Sequence, residues 1–206
     1  MNEFFAGLGK RWRIAAERRG AKIDEPDLDA AVALELLELA RVAAHTKERR
    51  FAPLASYTAG VAAALMARDR GGPAVAFHLL VVPVADLRYG ARSHADFAVG
   101  YGLTKADMEW YASHYLAKIE DADHPYASVA RADLRDMPPA FVITAECDPL
   151  RDDGELYASK LRELGIAASA KRYPGMFHGF MAYPDLLPEA REALDDAGAA
   201  LRAALG

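Results

Sequence analysis

Residues 138–180 read PPAFVITAECDPLRDDGELYASKLRELGIAASAKRYPGMFHGF. Residues 140–145, AFVITA, are apolar on both faces, as in a strand buried within a parallel sheet. A helical pattern follows over 155–164 and stops at Gly165, and a second strand pattern covers 167–173. The segment therefore predicts strand, helix, strand, with Asp148 beyond the end of one strand and His178 beyond the end of the next. In open parallel sheets, functional residues collect at the carboxyl ends of strands, where the loops converge on a crevice. An acid and a histidine there suggest two members of a catalytic triad, for which the rest of the chain must supply a nucleophile.

Upstream, residues 74–84 are β-rich on both faces and predict a central parallel strand, interrupted by His78, which reads as a partnered packing or backbone-bonded histidine. Residues 51–55 form a short apolar run before Ser56, and an alanine-rich helix over 59–70 stops at Gly71, Gly72 and Pro73. That order predicts strand, tight turn, helix, with Ser56 in the turn. Residues 86–136 read as loop and short helix, including a helix over 104–116 that Thr104 and Asp107 start as a capping box. Its bulky residues Met108, Trp110, Tyr111 and Tyr115 either pack on the sheet or line a pocket. His94, His114 and His124 lack metal-ligand spacing and read as surface or packing residues, so neither a metal nor a cofactor is expected. An amphipathic helix over 187–205 ends the chain, and helices over 3–19 and 28–45 begin it. The expected fold class is α/β: one domain over 1–206 with a mostly parallel sheet, helices on both faces, and an amino-terminal helix within 1–27.

Composition narrows the partners. The chain has 206 residues, 52% of them hydrophobic and 27% charged, enough for one sizeable core. A net charge of -5 disfavours nucleic acid and anionic membrane surfaces. The single cysteine, Cys147, excludes an intrachain disulfide framework and fits a reducing compartment. With neither a signal-peptide pattern nor a long apolar run, the expected location is the cytoplasm.

The stretches ITAECDPLRDDGELYASKLRELG (143–165) and RYPGMFHGF (172–180) resemble the carboxyl-terminal half of the hormone-sensitive-lipase-like branch of α/β-hydrolase esterases. That branch places its triad acid in D-P-L-x-D-[DE]-G and its base in H-G-F, positions matched by Asp148 and His178. The resemblance continues through MARDRGGPAVAFHLLVVPVADL (66–87) and YGLTKADMEWYASHYL (101–116). It implies a serine hydrolase of the carboxylesterase type acting on a small carboxylic ester, with Ser56 as nucleophile, His178 as general base and Asp148 orienting the imidazole. The backbone amide of Tyr57 then becomes an oxyanion-hole candidate and Trp110 a pocket candidate.

Two departures temper that expectation. The branch carries its serine in a G-D-S-A-G-G elbow, whereas Leu54 and Thr58 stand where the close strand–helix crossing needs glycine. Its H-G-G-G oxyanion loop has no counterpart here; the resemblance begins near AAERRGAKI (15–23), as in an amino-terminally truncated fold. Each lost oxyanion donor costs about 100- to 1000-fold in rate, so slow turnover is expected. The alternative is a hydrolase-fold protein that no longer hydrolyses esters: a binding or scaffold protein, or a lyase or cyclase using His178. Cys147 is a weaker nucleophile candidate, because it precedes Asp148 by one residue and points to the opposite face of an extended strand. A shortened sheet leaves an edge or apolar face to cover, which predicts a homodimer or larger assembly.

Overall fold

The computed structural model describes residues 52–72 and 74–206, with side chains from residue 60 onward. The chain divides into two compact units, residues 1–49 and 50–206, and the described residues all belong to the second. The helices expected over 3–19 and 28–45 lie outside the described residues.

The first described element, α1 (Ala52–Asp69), corrects the strand expected over 51–55. Ala52, Leu54 and Ala55 are good helix formers, and Pro53 is the second residue of the helix. There its missing N–H has no intrahelical partner to lose, and its fixed φ suits the first turn. Pro53 is thus a helix-start residue, and Ser56 and Tyr57 lie in the helical backbone of α1.

The strand expected over 74–84 is shorter in the structure, β1 (His78–Val81). Val82 adopts a positive φ of 44°, and Pro83 follows, which turns the chain out of the ladder. A short helix α2 (Ser93–Asp96) and the longer α3 (Lys105–Tyr115) fill the connection to β2 (Ala140–Cys147). Helix α3 starts with the expected capping box between Thr104 and Asp107. From β2 the chain enters α4 (Arg151–Glu163), then β3 (Ala168–Phe177) and the final helix α5 (Pro188–Leu205). Helix α4 begins four residues earlier than its apolar pattern suggested, because the turn at Asp148 starts it.

The strands pair in parallel in the order β1-β2-β3, with β2 central. Side chains alternate across β2. Val142 joins Val61 and Leu65 of α1 and Tyr157, Ala158 and Leu161 of α4 on one face. Ile143 and Ala145 join Ala190, Ala193 and Ala197 of α5 on the other. The α/β expectation of a parallel sheet with helices on both faces therefore holds. Each buried leucine, isoleucine or valine contributes roughly 1.5–3 kcal/mol through lost contact with water. Helix α4 approaches β2 closely at Gly154, where a Cβ would sit 2.9 Å from Thr144 Cγ2 and 3.1 Å from Val142 Cγ1. Arg172 of β3 grips Glu155 of α4 through two bonds, Nε–Oε1 at 2.7 Å and Nη2–Oε2 at 2.6 Å. Among the described residues, no helix is long and apolar enough to cross a membrane.

His78 is buried on the α1 side of the sheet, and among the described residues neither ring nitrogen has a hydrogen-bond partner. This corrects the expectation of a partnered histidine. Burial disfavours the imidazolium and pushes its pKa down to about 4.

Candidate active site

Asp148 follows the last residue of β2 and opens the first turn of α4. Its Oδ1 accepts the Leu150 N–H at 2.8 Å, and its backbone carbonyl accepts the Arg151 N–H at 3.1 Å. This side-chain turn is what aspartate offers at a strand-to-helix junction, and the amino terminus of α4 favours the negative charge. With the side chain only 1% exposed, Asp148 has no competing bulk water. The Asp148–Pro149 turn is also held from outside. Ser93 Oγ donates to the Pro149 carbonyl at 2.6 Å, and the Ser93 N–H donates to Asp152 Oδ2 at 2.9 Å.

A bulge brings His178 to the acid. In the β2–β3 register Ala145 pairs with Tyr173 but Cys147 pairs with Phe177, so a two-residue step on β2 meets a four-residue step on β3. The extra pair is absorbed near Pro174 and Gly175, and the Gly175 N–H is tied to Glu146 Oε2 at 2.7 Å. A regular ladder would put Gly175 opposite Cys147 and carry His178 two residues, or about 6–7 Å, farther along the strand. Beyond the histidine, Phe180 is fully buried and lies 5.3 Å from the Tyr173 ring, which anchors the turn in the core under α5.

The result is a hydrogen bond of 2.9 Å between His178 Nδ1 and Asp148 Oδ2. A carboxylate accepts only, so Nδ1 carries the proton and Nε2 is left as the basic nitrogen. The His178 side chain is 16% exposed, more open than the acid behind it. An oriented imidazole with a free Nε2 lone pair can take a proton from a hydroxyl or a water and return it to a leaving group. The structure thus brings together the two residues expected from the D-P-L and H-G-F segments.

The sequence named four further candidates. Ser56 and Tyr57 lie in the α1 backbone, and their side chains are outside the described residues. Trp110 is exposed on α3, stacking on His114 with ring centroids 4.1 Å apart and meeting Tyr111 edge-on. Cys147 is half-buried at the end of β2. Among the described residues no group of three or more His, Cys, Asp or Glu could hold a metal ion.

Sequence reading missed a second buried pair. His94 was expected at the surface or in packing. Its Nε2 lies 3.0 Å from Asp153 Oδ1 at an angle poor for a hydrogen bond, and both side chains are 2% exposed. Burial opposes an imidazolium there, but the adjacent Asp153 carboxylate outweighs it and raises the His94 pKa. Asp153 Oδ2 also accepts the N–H groups of Ala85 and Asp86, at 2.8 and 3.1 Å. Paired acids at 152 and 153 were the available signal: one fastens Ser93, the other His94 and the loop after β1.

Comparison with known proteins places this geometry. A family model described as alpha/beta hydrolase fold matches residues 58–182, which include Asp148 and His178. A second model, a domain of unknown function (DUF6457), matches residues 10–96, which include Ser56. The chain is 35% identical to carboxylesterase NlhH of Mycobacterium tuberculosis over 146 residues, covering 69% of this chain and 46% of that protein. It is 36% identical to an acetyl-hydrolase of Streptomyces hygroscopicus, covering 71% of this chain and 49% of that one. It thus spans about half the length of these curated relatives. An esterase of Pyrobaculum calidifontis superposes with a TM-score of 0.66 at 42% identity, covering 71% of this chain and 48% of that chain. A thermostable esterase of Pseudomonas putida gives 0.72 at 32% identity, covering 90% and 62%. The matched segment fills more than half of the sequence and holds the sheet, Asp148 and His178, so the chain belongs to the α/β hydrolase fold family, whose similar members are carboxylic ester hydrolases.

Proposed function

We propose that this protein is a serine hydrolase of the carboxylesterase type that turns over small carboxylic esters slowly. The observation that carries this reading is the 2.9 Å bond between His178 Nδ1 and the buried Asp148 carboxylate. In the proposed reaction His178 Nε2 takes the proton of a serine hydroxyl as that oxygen attacks the ester carbonyl. The imidazolium, stabilised by Asp148, then gives the proton to the departing alkoxide. Water repeats the sequence on the acyl-enzyme and releases the acid. Ser56 is the proposed nucleophile of this chain; its assignment rests on its position before Asp148 and His178, the chain order of this fold. A fluorophosphonate probe reacts only with an activated serine, so the wild-type protein is expected to label, and Ser56→Ala and His178→Ala to remain unlabelled. Absence of label on the wild type together with absence of short-chain aryl ester turnover would sink the proposal.

One observation favours a second reading. The backbone is helical from Ala52, so Ser56 is not presented by a strand-to-helix turn. On that reading the protein is a non-hydrolysing member of the fold, in which Asp148 and His178 serve ligand binding or the acid–base step of a lyase or cyclase. Labelling that survives in Ser56→Ala would move the nucleophile elsewhere, and labelling that never occurs selects this second reading.

A homodimer or larger assembly forms part of the proposal, supported by the four-residue β1 lying at an edge of the described sheet. Light scattering at micromolar concentration is expected to give at least twice the chain mass; a monomer overturns the assembly.

A further inference from the structure

We infer that Gly102 is a positioning residue for the His178 imidazole, acting by direct backbone contact between the loop before α3 and the residue that bears the base. The His178 N–H donates to the Tyr101 carbonyl at 3.1 Å. On the other side of the same residue, a Cβ added at Gly102 would sit 2.8 Å from the His178 carbonyl oxygen and 3.3 Å from Phe177 Cδ2. Two consecutive loop residues therefore contact both backbone polar groups of His178: one accepts its N–H, and the other packs against its carbonyl at a distance only glycine permits.

The loop is built to hold that position. The Lys105 N–H closes its base on the Ala98 carbonyl at 2.9 Å, and the Thr104–Asp107 capping box fixes the start of α3 immediately after it. Leu103, next to Gly102, is buried in the same apolar cluster as Leu150, the residue whose N–H holds Asp148 Oδ1. The segment 101–103 thus contacts the base directly and packs in the cluster that contains the residue fastening the acid. Side-chain placement within about an ångström decides whether the Nδ1–Oδ2 bond forms, which makes this backbone contact a determinant of the pair's alignment.

Gly100 supplies a matched control. Both glycines have left-handed backbone, φ +95° at Gly100 and +85° at Gly102, so alanine strains the loop at either position. A Cβ at Gly100 meets nothing within 4 Å, whereas one at Gly102 meets His178. The experiment compares Gly100→Ala, Gly102→Ala and Gly102→Asn in the full chain. Asparagine accepts left-handed backbone more readily, so the third variant keeps the added Cβ with less strain and guards against loss of fold.

The first readout is the proton resonance of the His178 Nδ1–H, assigned by its disappearance in His178→Gln. The expected result is a downfield, exchange-protected signal in wild type and in Gly100→Ala, and its loss or upfield movement in both Gly102 variants. The second readout, which rests on the ester-hydrolase reading, is a fall of about 10- to 100-fold in kcat for an aryl ester with KM little changed, in the Gly102 variants only. A wild-type signal in both Gly102 variants overturns the inference, and so does equal loss of the signal in Gly100→Ala. A wild type without turnover refutes the hydrolase reading alone and leaves the resonance to decide the role of Gly102.

Discussion

Asp148→Asn is expected to lower turnover of a short-chain aryl ester by about 10⁴-fold, with little change in KM. The size of the effect follows from how the side chain is held. Asp148 Oδ1 accepts the Leu150 N–H, and Oδ2 faces His178 Nδ1. In an almost fully buried site the asparagine orients itself by the donor it must satisfy, so its carbonyl oxygen takes the Leu150 N–H. Its NH₂ group then faces His178 Nδ1, which becomes the acceptor, and the ring proton moves to Nε2. The nitrogen that must receive the nucleophile's proton already carries one. Because volume and burial are conserved, the variant is expected to fold, with unfolding measured by circular dichroism as the control. Turnover within tenfold of wild type would show that the pair is structural rather than catalytic.

The second large effect concerns His78 and stability. Its side chain shares a face of β1 with Leu80, against a cluster that includes Val61, Leu65 and Tyr157, and both ring nitrogens lack partners. Burial lowers its pKa from 6.5 to about 4. Between those values the unfolded chain binds a proton that the folded chain refuses, so this group makes the fold less stable as pH falls through the window. At pH 5 the loss relative to neutral pH is about 2 kcal/mol. His78→Leu removes that contribution. At pH 7.5 it is expected to be as stable as wild type or more so, because an unsatisfied buried polar group costs roughly 1–3 kcal/mol. Its advantage should grow at pH 5. His94 acts in the opposite sense. Its raised pKa contributes stability that is present below the unfolded value and lost as pH rises through the folded one, which is why the comparison is made between variant and wild type. Urea unfolding at the two pH values provides the measurement. An equal difference between variant and wild type at both would remove His78 from the acid sensitivity of this protein.

The residues that chemistry and periodicity label most strongly are legible in the amino-acid sequence. The two-faced apolar run at 140–145 reads as a buried parallel strand and forms one, β2. Asp148 and His178, each just past a strand, had to lie at the same end of the sheet. The capping box at Thr104 and Asp107 depends on four local residues, and it forms as their spacing predicts. Local pattern misled at residues 51–55, where a short apolar run suits a strand or a helix, and Pro53 fits the first turn of α1 better than a ladder.

What the sequence determined by itself is the fold class and the two residues of the Asp148–His178 pair, because both are written in period, order and short motifs. Only the tertiary structure decided that the pair is aligned. That depends on a bulge near Pro174 and Gly175, a turn fastened by Ser93 from 56 residues away in the chain, and a backbone contact at Gly102. Tertiary structure likewise decided that His78 is unpartnered and His94 paired. Hydrogen bonds and contacts between residues distant in the chain leave no period behind them, and their energies depend on burial that only the assembled layers create.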